Sequence, residues 1–242
     1  MIRIPTTAGI ARALLPGAAA WLLAAGAVAQ EPPDLGRPGD GNNGPVVTET
    51  PALPAPAVEV PLVAPVEGTR FVFRTTFADG RVGESTWTVL PDDTWNGQEV
   101  SRLGRNDEVQ ILDRETRNWM ALERDGEMIQ AAEPHRGVWR WPLRVGDSWT
   151  AEFTWYDFVR SFTVGPIGTR WTVEAVEEIE VPAGRFSALR LRGEPTRNNT
   201  RRILLWYAAE TGSLIRRVEQ QATDTPGEMT TVTTELVARE IP

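Results

Sequence analysis

Ser85-Thr-Trp-Thr-Val89 returns 84 residues later as Thr169-Arg-Trp-Thr-Val173, and that repetition decides the reading of the fold. A second pair follows in the same order, Gly97-Gln-Glu-Val-Ser-Arg-Leu103 against Gly184-Arg-Phe-Ser-Ala-Leu-Arg-Leu191. A third matches Asn118 to Ile129 with Leu205 to Ile215, placing Trp119 and Trp206 87 residues apart. Three landmarks at a nearly constant offset describe a chain that carries one β-rich unit twice. The expected limits are about 68–132 for the first unit and 146–221 for the second. Residues 133–145 connect them, and a closing strand runs over 228–240.

Working outward, the local pattern is that of strands. In Ser148-Trp-Thr-Ala-Glu-Phe-Thr-Trp155, residues 149, 151, 153 and 155 (Trp, Ala, Phe, Trp) share one face, and the polar residues share the other. Period-two alternation of this kind marks a half-buried strand. Asp79-Gly80 and Asp125-Gly126 separate such runs and predict type I′ hairpins, because both central positions of that turn need positive φ. Met229 to Val237 has the Thr and Val content of a strand. No window after the leader sustains apolar spacing of 3.6 residues; the apolar residues at 109, 111 and 112 could start one helical turn at most. The prediction is an all-β, mostly antiparallel domain over 67–242. Its two pseudo-repeated units would form a curved sheet, a clam or a barrel, since a lone curved sheet leaves bare edges.

Residues 1–29 read as a secretory signal peptide: Arg3 and Arg12 without acids, an apolar run from Ala13 to Val28, then the small-residue pattern Ala27-Val-Ala29. Pro16 and Gly17 interrupt that run, which stays below the roughly 20 apolar residues of a spanning helix. No later segment is apolar enough to span, so the expected product is soluble in the periplasm or secreted. Residues 30–66, rich in Pro, read as a disordered linker.

Composition excludes several functions. Without the leader the chain has 23 Arg against 33 acids, a formal charge of −10. That disfavours sequence-independent nucleic-acid binding, which needs a basic surface. Lys and Cys are both absent, so there are no disulfides, thiolate nucleophiles or Cys-ligated zinc. No cofactor or metal signature is present.

Val181-Pro-Ala-Gly-Arg-Phe-Ser-Ala188 carries a resemblance. With Val145-Gly-Asp-Ser-Trp149 before it and Trp206-Tyr-Ala-Ala-Glu-Thr-Gly212 after, it resembles a motif recurring in uncharacterised families of exported bacterial β-proteins, over about residues 141–218. The resemblance implies fold class and an envelope compartment, and no catalytic residue. Physically the motif is a turn: Pro182 sets φ and Gly184 can take positive φ before a strand.

Candidates for chemistry are few. His135 is the sole histidine and sits in a Pro/Gly-flanked loop; Glu133 is its nearest carboxylate. Asp92-Asp93 and Glu177-Glu178 are adjacent on strands and point to opposite faces, so neither forms a local acid–base dyad. Arg190, Arg192, Arg202 and Arg216 belong to a run of eight Arg between 185 and 217 and are candidates for an anion-binding patch. Cross-strand pairing with Glu174, Glu178 and Glu180 is the competing account. Trp139 and Trp141 alternate onto one face and could line a cleft for a sugar or acyl chain. The expected function is a non-enzymatic binding module for a lipid-like or amphipathic ligand, an acidic glycan or an envelope protein. The alternatives are an assembly protein without a pocket and, last, an unrecognised hydrolase.

Overall fold

The computed structural model describes residues 59–223 and 228–242. The signal-peptide reading, and the linker reading as far as residue 58, lie outside those residues. Residues 59–66, assigned to the linker, belong instead to the fold: Val60 pairs with Leu143 and packs against its buried cluster, and Tyr207 Oη accepts the Val63 N–H at 3.2 Å.

All regular structure among the described residues is β. Before the connector come β1 (Glu59–Val60), β2 (Arg70–Thr76), β3 (Val82–Trp95) and β4 (Gln98–Arg105). They are followed by β5 (Glu108–Asp113), β6 (Trp119–Arg124) and β7 (Glu127–Glu133). The connector holds β8 (Leu143–Arg144), which pairs with β1 as a small separate sheet. Then follow β9 (Ser148–Asp157), β10 (Phe162–Val181) and β11 (Gly184–Pro195). The chain ends with β12 (Arg201–Ala208), β13 (Ser213–Ala222) and β14 (Met229–Glu240).

Twelve of these strands form one closed antiparallel barrel in the order β10-β11-β12-β13-β14-β2-β3-β4-β5-β6-β7-β9. Two long-range seams close it. β14 pairs with β2 (Glu235 opposite Arg74), and β7 pairs with β9 (Ala132 opposite Trp155). Closure removes every edge that two separate sheets would expose. Eight strands give an interior that side chains just fill; twelve leave room.

The halves, β2–β7 and β9–β14, each hold six strands. The first two sequence landmarks fall on equivalent strands, Trp87 on β3 with Trp171 on β10, and the strand starts after Gly97 and Gly184 on β4 and β11. The third does not. Trp119 lies on β6, two strands after β4, whereas Trp206 lies on β12, immediately after β11. The true counterpart of the β12–β13 turn is the β5–β6 turn, 95 residues earlier. Glu115-Thr116-Arg117 matches Glu210-Thr211-Gly212, with φ of 61° at Arg117 and 66° at Gly212. In both turns the next residue's N–H, Asn118 or Ser213, donates to the Thr hydroxyl. The longer β11 and the loop over 196–200 shift the offset, so a constant-offset comparison locks onto the wrong strand.

Two smaller expectations also change. The apolar residues at 109, 111 and 112 lie in β5, not in a helical turn. Asp125-Gly126 has both residues at positive φ, as a type I′ turn requires, but at Asp79-Gly80 only Gly80 does. Val181-Pro-Ala-Gly184 is the β10–β11 turn, and Ala183 N–H donates to Leu236 O at 3.0 Å, where β14 bulges, so the tip of that hairpin reaches back to β14. Ile179, Val181 and Ala188 are buried there with Trp206 and Val218.

Candidate functional site

The barrel encloses a cavity of about 820 Å³. Its walls follow from strand alternation. On β9, Phe153 and Trp155 face inward, opposite Ile167 and Val164 of β10, and Thr169 and Trp171 of β10 continue the same wall. Phe71 and Phe73 on β2, Trp87 on β3, Trp119 on β6 and Leu205 and Tyr207 on β12 complete an aromatic lining. The outer faces carry ion pairs instead, such as Arg70–Glu240 at 2.7 Å and Arg74–Glu84 at 3.0 Å.

One end of the barrel is covered by the connector. Asn118 is 1 % exposed and clamps Trp139 by its backbone: Trp139 N–H donates to Asn118 Oδ1 at 2.8 Å, and Asn118 Nδ2 donates to Trp139 O at 2.9 Å. Trp141 Nε1 donates to Thr116 O, and Trp149 Nε1 to Gly137 O. Trp139 and Trp141 stack at 5.4 Å, and Tyr207 tilts against both. Both tryptophans singled out in the sequence therefore line the cavity, at its covered end. The cavity extends to the other end, where Arg160, Phe162, Val164 and the 198–201 loop line it. That rim exposes apolar side chains: Val159 is 66 % and Phe162 42 % exposed.

Arg136 enters the lumen from the connector. Its backbone N–H donates to Trp119 O. Its guanidinium carbon lies 4.6 Å from the Trp119 ring centroid and 4.8 Å from that of Trp155, and the two rings stack on each other at 5.2 Å. The next residue makes this path possible. Gly137 has φ of +64°, and a Cβ there would sit 2.5 Å from Ala151 Cβ, so only glycine lets the connector pass this close to β9. Among the described residues the Arg136 side chain has no carboxylate or hydrogen-bond partner, and its Nε is buried without one. Burial, then the charges of Arg217 and Arg201, hold its guanidinium down to about 9, with Glu219 pulling the other way.

The rest of the lumen is also cationic. Six arginines (117, 136, 160, 201, 216 and 217) line it against two carboxylates, Asp157 and Glu219, in a chain of net charge −8. Burial would raise the Glu219 carboxyl, but Arg217, which hydrogen-bonds it, together with Arg201 and Arg136, holds it below its ordinary value. Burial lowers Arg117, reinforced by Arg114 and opposed by Asp92 and Tyr207.

Of the arginine patch only Arg216 borders the lumen, and all four members meet glutamates. Arg190 and Arg192 alternate with the inward Leu189 and Leu191 and so lie on the outer face. Arg190 Nε donates to Glu174 at 2.8 Å, and its Nη1 to Glu177 at 3.0 Å; Arg192 bonds Glu174 as well. Arg202 lies 3.6 Å from Glu194. Arg216 packs over the Trp206 ring and lies 3.3 Å from Glu235. Glu174 matches the expected pairing, and so does Glu180, which Arg185 meets across the β10–β11 hairpin at 3.2 Å, whereas Glu177, Glu194 and Glu235 stand in for Glu178. Asp92 and Asp93 pair separately with Arg114 and Arg102. His135 is half-buried beside the lumen, and no group of His, Asp and Glu among the described residues could hold a metal ion.

Pro-His-Arg-Gly reads as a polar loop, so the sequence pattern does not single out Arg136. The usable signal was its place in the connector between two Trp-rich halves, next to a glycine.

No family model matches the chain, and no curated protein does. Among solved structures it is similar to a candidate lipoprotein from Parabacteroides distasonis (13% identity, TM-score 0.37, 75% of this chain and 99% of that one). It is also similar to a candidate exported protein with YmcC-like fold from Bacteroides fragilis (13%, 0.40, 76% and 99%). A third is the hypothetical lipoprotein YmcC from Escherichia coli K12 (10%, 0.41, 73% and 89%). At this distance the likeness says nothing about ligand or role.

Proposed function

We propose that the barrel is a non-enzymatic binding module of the cell envelope that holds the apolar part of a lipid-like, amphipathic ligand in its lumen. One observation carries the reading: a cavity of about 820 Å³, lined by Trp, Phe and Leu, inside a barrel whose outer face is ion-paired. That volume falls in the range of small-molecule sites, roughly 300–1,000 Å³. The polarity is the inverse of a membrane-spanning barrel, whose apolar band faces outward. A tail offers about 0.8 kcal/mol per buried methylene, so ten methylenes supply about 8 kcal/mol before the costs of association. The exposed apolar rim around Val159 and Phe162 suits entry from a lipid surface. Among the described residues the lumen sets six arginines against two carboxylates, Asp157 and Glu219, which favours an anionic ligand over acid–base chemistry.

The test is a titration with the apolar dye N-phenyl-1-naphthylamine, read by energy transfer from the lumen tryptophans. The reading expects saturable one-to-one uptake, reversed by dodecanol. Absence of saturable uptake removes it and leaves the assembly-protein alternative.

A further inference from the structure

Resting on that reading of the lumen, we infer that the ligand carries an anionic head group, a carboxylate or a phosphate, and that Arg136 receives it inside the barrel. The arginines differ in the counter-charge they meet. Arg190, Arg192 and Arg202 lie on the outer face and Arg216 borders the lumen, and each has a glutamate within 4 Å. Arg136 lies in the lumen, has the greatest need of a counter-charge, and has none among the described residues. A buried charge without a partner is costly, and a chain with 33 acids has many ways to supply one.

The surroundings fit an anion from outside. The guanidinium carbon lies over the Trp119 and Trp155 rings, at 4.6 Å and 4.8 Å, and the ring quadrupoles attract it. They leave its in-plane N–H groups, the donors that fork onto a carboxylate or phosphate, without acceptors. Arg217 and Arg201 raise the local positive potential, and Glu219 is drawn to Arg217 by a direct hydrogen bond rather than to Arg136. Phe153, Trp171 and Leu205 supply apolar wall in the same cavity. A head group at Arg136 therefore leaves the tail among aromatic side chains.

The test compares three probes with one twelve-carbon tail: dodecanoate, dodecyl phosphate and dodecanol. Each displaces N-phenyl-1-naphthylamine from the wild-type protein and from Arg136→Met at pH 8. One charge-assisted hydrogen-bond pair corresponds to roughly a 10- to 100-fold preference of the wild type for an anionic probe over dodecanol. In Arg136→Met the ratio should fall toward one. Preference for dodecanoate assigns an acyl carboxylate, and preference for dodecyl phosphate a phosphate head group. Equal affinity for all three overturns the head-group inference while the lumen reading stands. Binding of none overturns both. A ratio that persists in Arg136→Met removes Arg136 from the role. Where Arg136→Met fails to fold, the wild-type ratio decides the head group and the same ratio in Arg136→Gln decides the place of Arg136.

Discussion

Replacing Arg136 with Met should stabilise the protein, the reverse of what removing a buried arginine usually does. Where a buried arginine is ion-paired, its loss strands the partner and costs about 3–5 kcal/mol. Arg136 has no such partner among the described residues. Burial and the nearby arginines hold its guanidinium down to about 9, so carrying the charge at pH 7 costs about 5 kcal/mol relative to the unfolded chain. Contacts with Trp119 and Trp155 return about 1–2 kcal/mol each. Met keeps apolar contact with both rings and needs no counter-charge. The balance is a gain of about 1–3 kcal/mol, and each kcal/mol raises Tm by about 2–4 °C in a domain of this size.

The sign with pH is an independent check. The folded-state affinity is depressed, so above pH 9 the unfolded chain holds a proton that the folded chain has given up. Stability then rises with pH, by about 1.4 kcal/mol per unit from this one group. Urea unfolding at pH 8 and pH 10 reads the effect as the difference between wild type and Arg136→Met, which should shrink on going to pH 10. A variant less stable than wild type by more than about 1 kcal/mol, or a difference indifferent to pH, would show that Arg136 braces the barrel rather than waiting for a ligand.

Three further outcomes test how the site is built. Asn118→Ala removes both hydrogen bonds to the Trp139 backbone and leaves buried polar groups unpaired; it should cost about 2–4 kcal/mol in urea unfolding and weaken dye uptake. Gly137→Ala forces an unfavourable φ and a contact of 2.5 Å with Ala151; a loss of about 2–4 kcal/mol, with altered tryptophan emission from Trp119 and Trp155, is expected. Glu108 tests the electrostatics of the first half. Burial would raise its carboxyl, but hydrogen bonds from Arg124 and Arg105 outweigh burial and hold it below the ordinary value. A depressed carboxylate adds stability that is present above its unfolded value and lost as pH falls through the folded one. Acid unfolding should therefore be shallower in Glu108→Gln than in wild type.

Much of this architecture is legible because its signals are local. The alternation of Trp149, Ala151, Phe153 and Trp155 marks an inward face without reference to the rest of the chain. Asp125-Gly126 announces a turn that needs positive φ at both positions and has it, whereas at Asp79-Gly80 only the glycine does. The choice among sheet, clam and barrel rests on the β14–β2 and β7–β9 seams, which join residues far apart in sequence and leave no periodic trace. The pairing of Trp119 with Trp206 failed because one added loop shifts register by a whole strand. The arginine patch drew notice by density alone, yet density on an outer strand invites glutamates opposite, and Glu174 and Glu177 are there. Arg136 is the converse, a single residue whose importance lies in which neighbours it lacks.

Native mass spectrometry of the protein purified from its natural host, sprayed gently and again after delipidation, tests the central claim most directly. The account predicts one bound molecule of amphiphile mass, negatively charged once released, lost on delipidation and retained poorly by Arg136→Met. A protein that carries only its own mass under gentle conditions, and regains no adduct when exposed to host lipids, would contradict it.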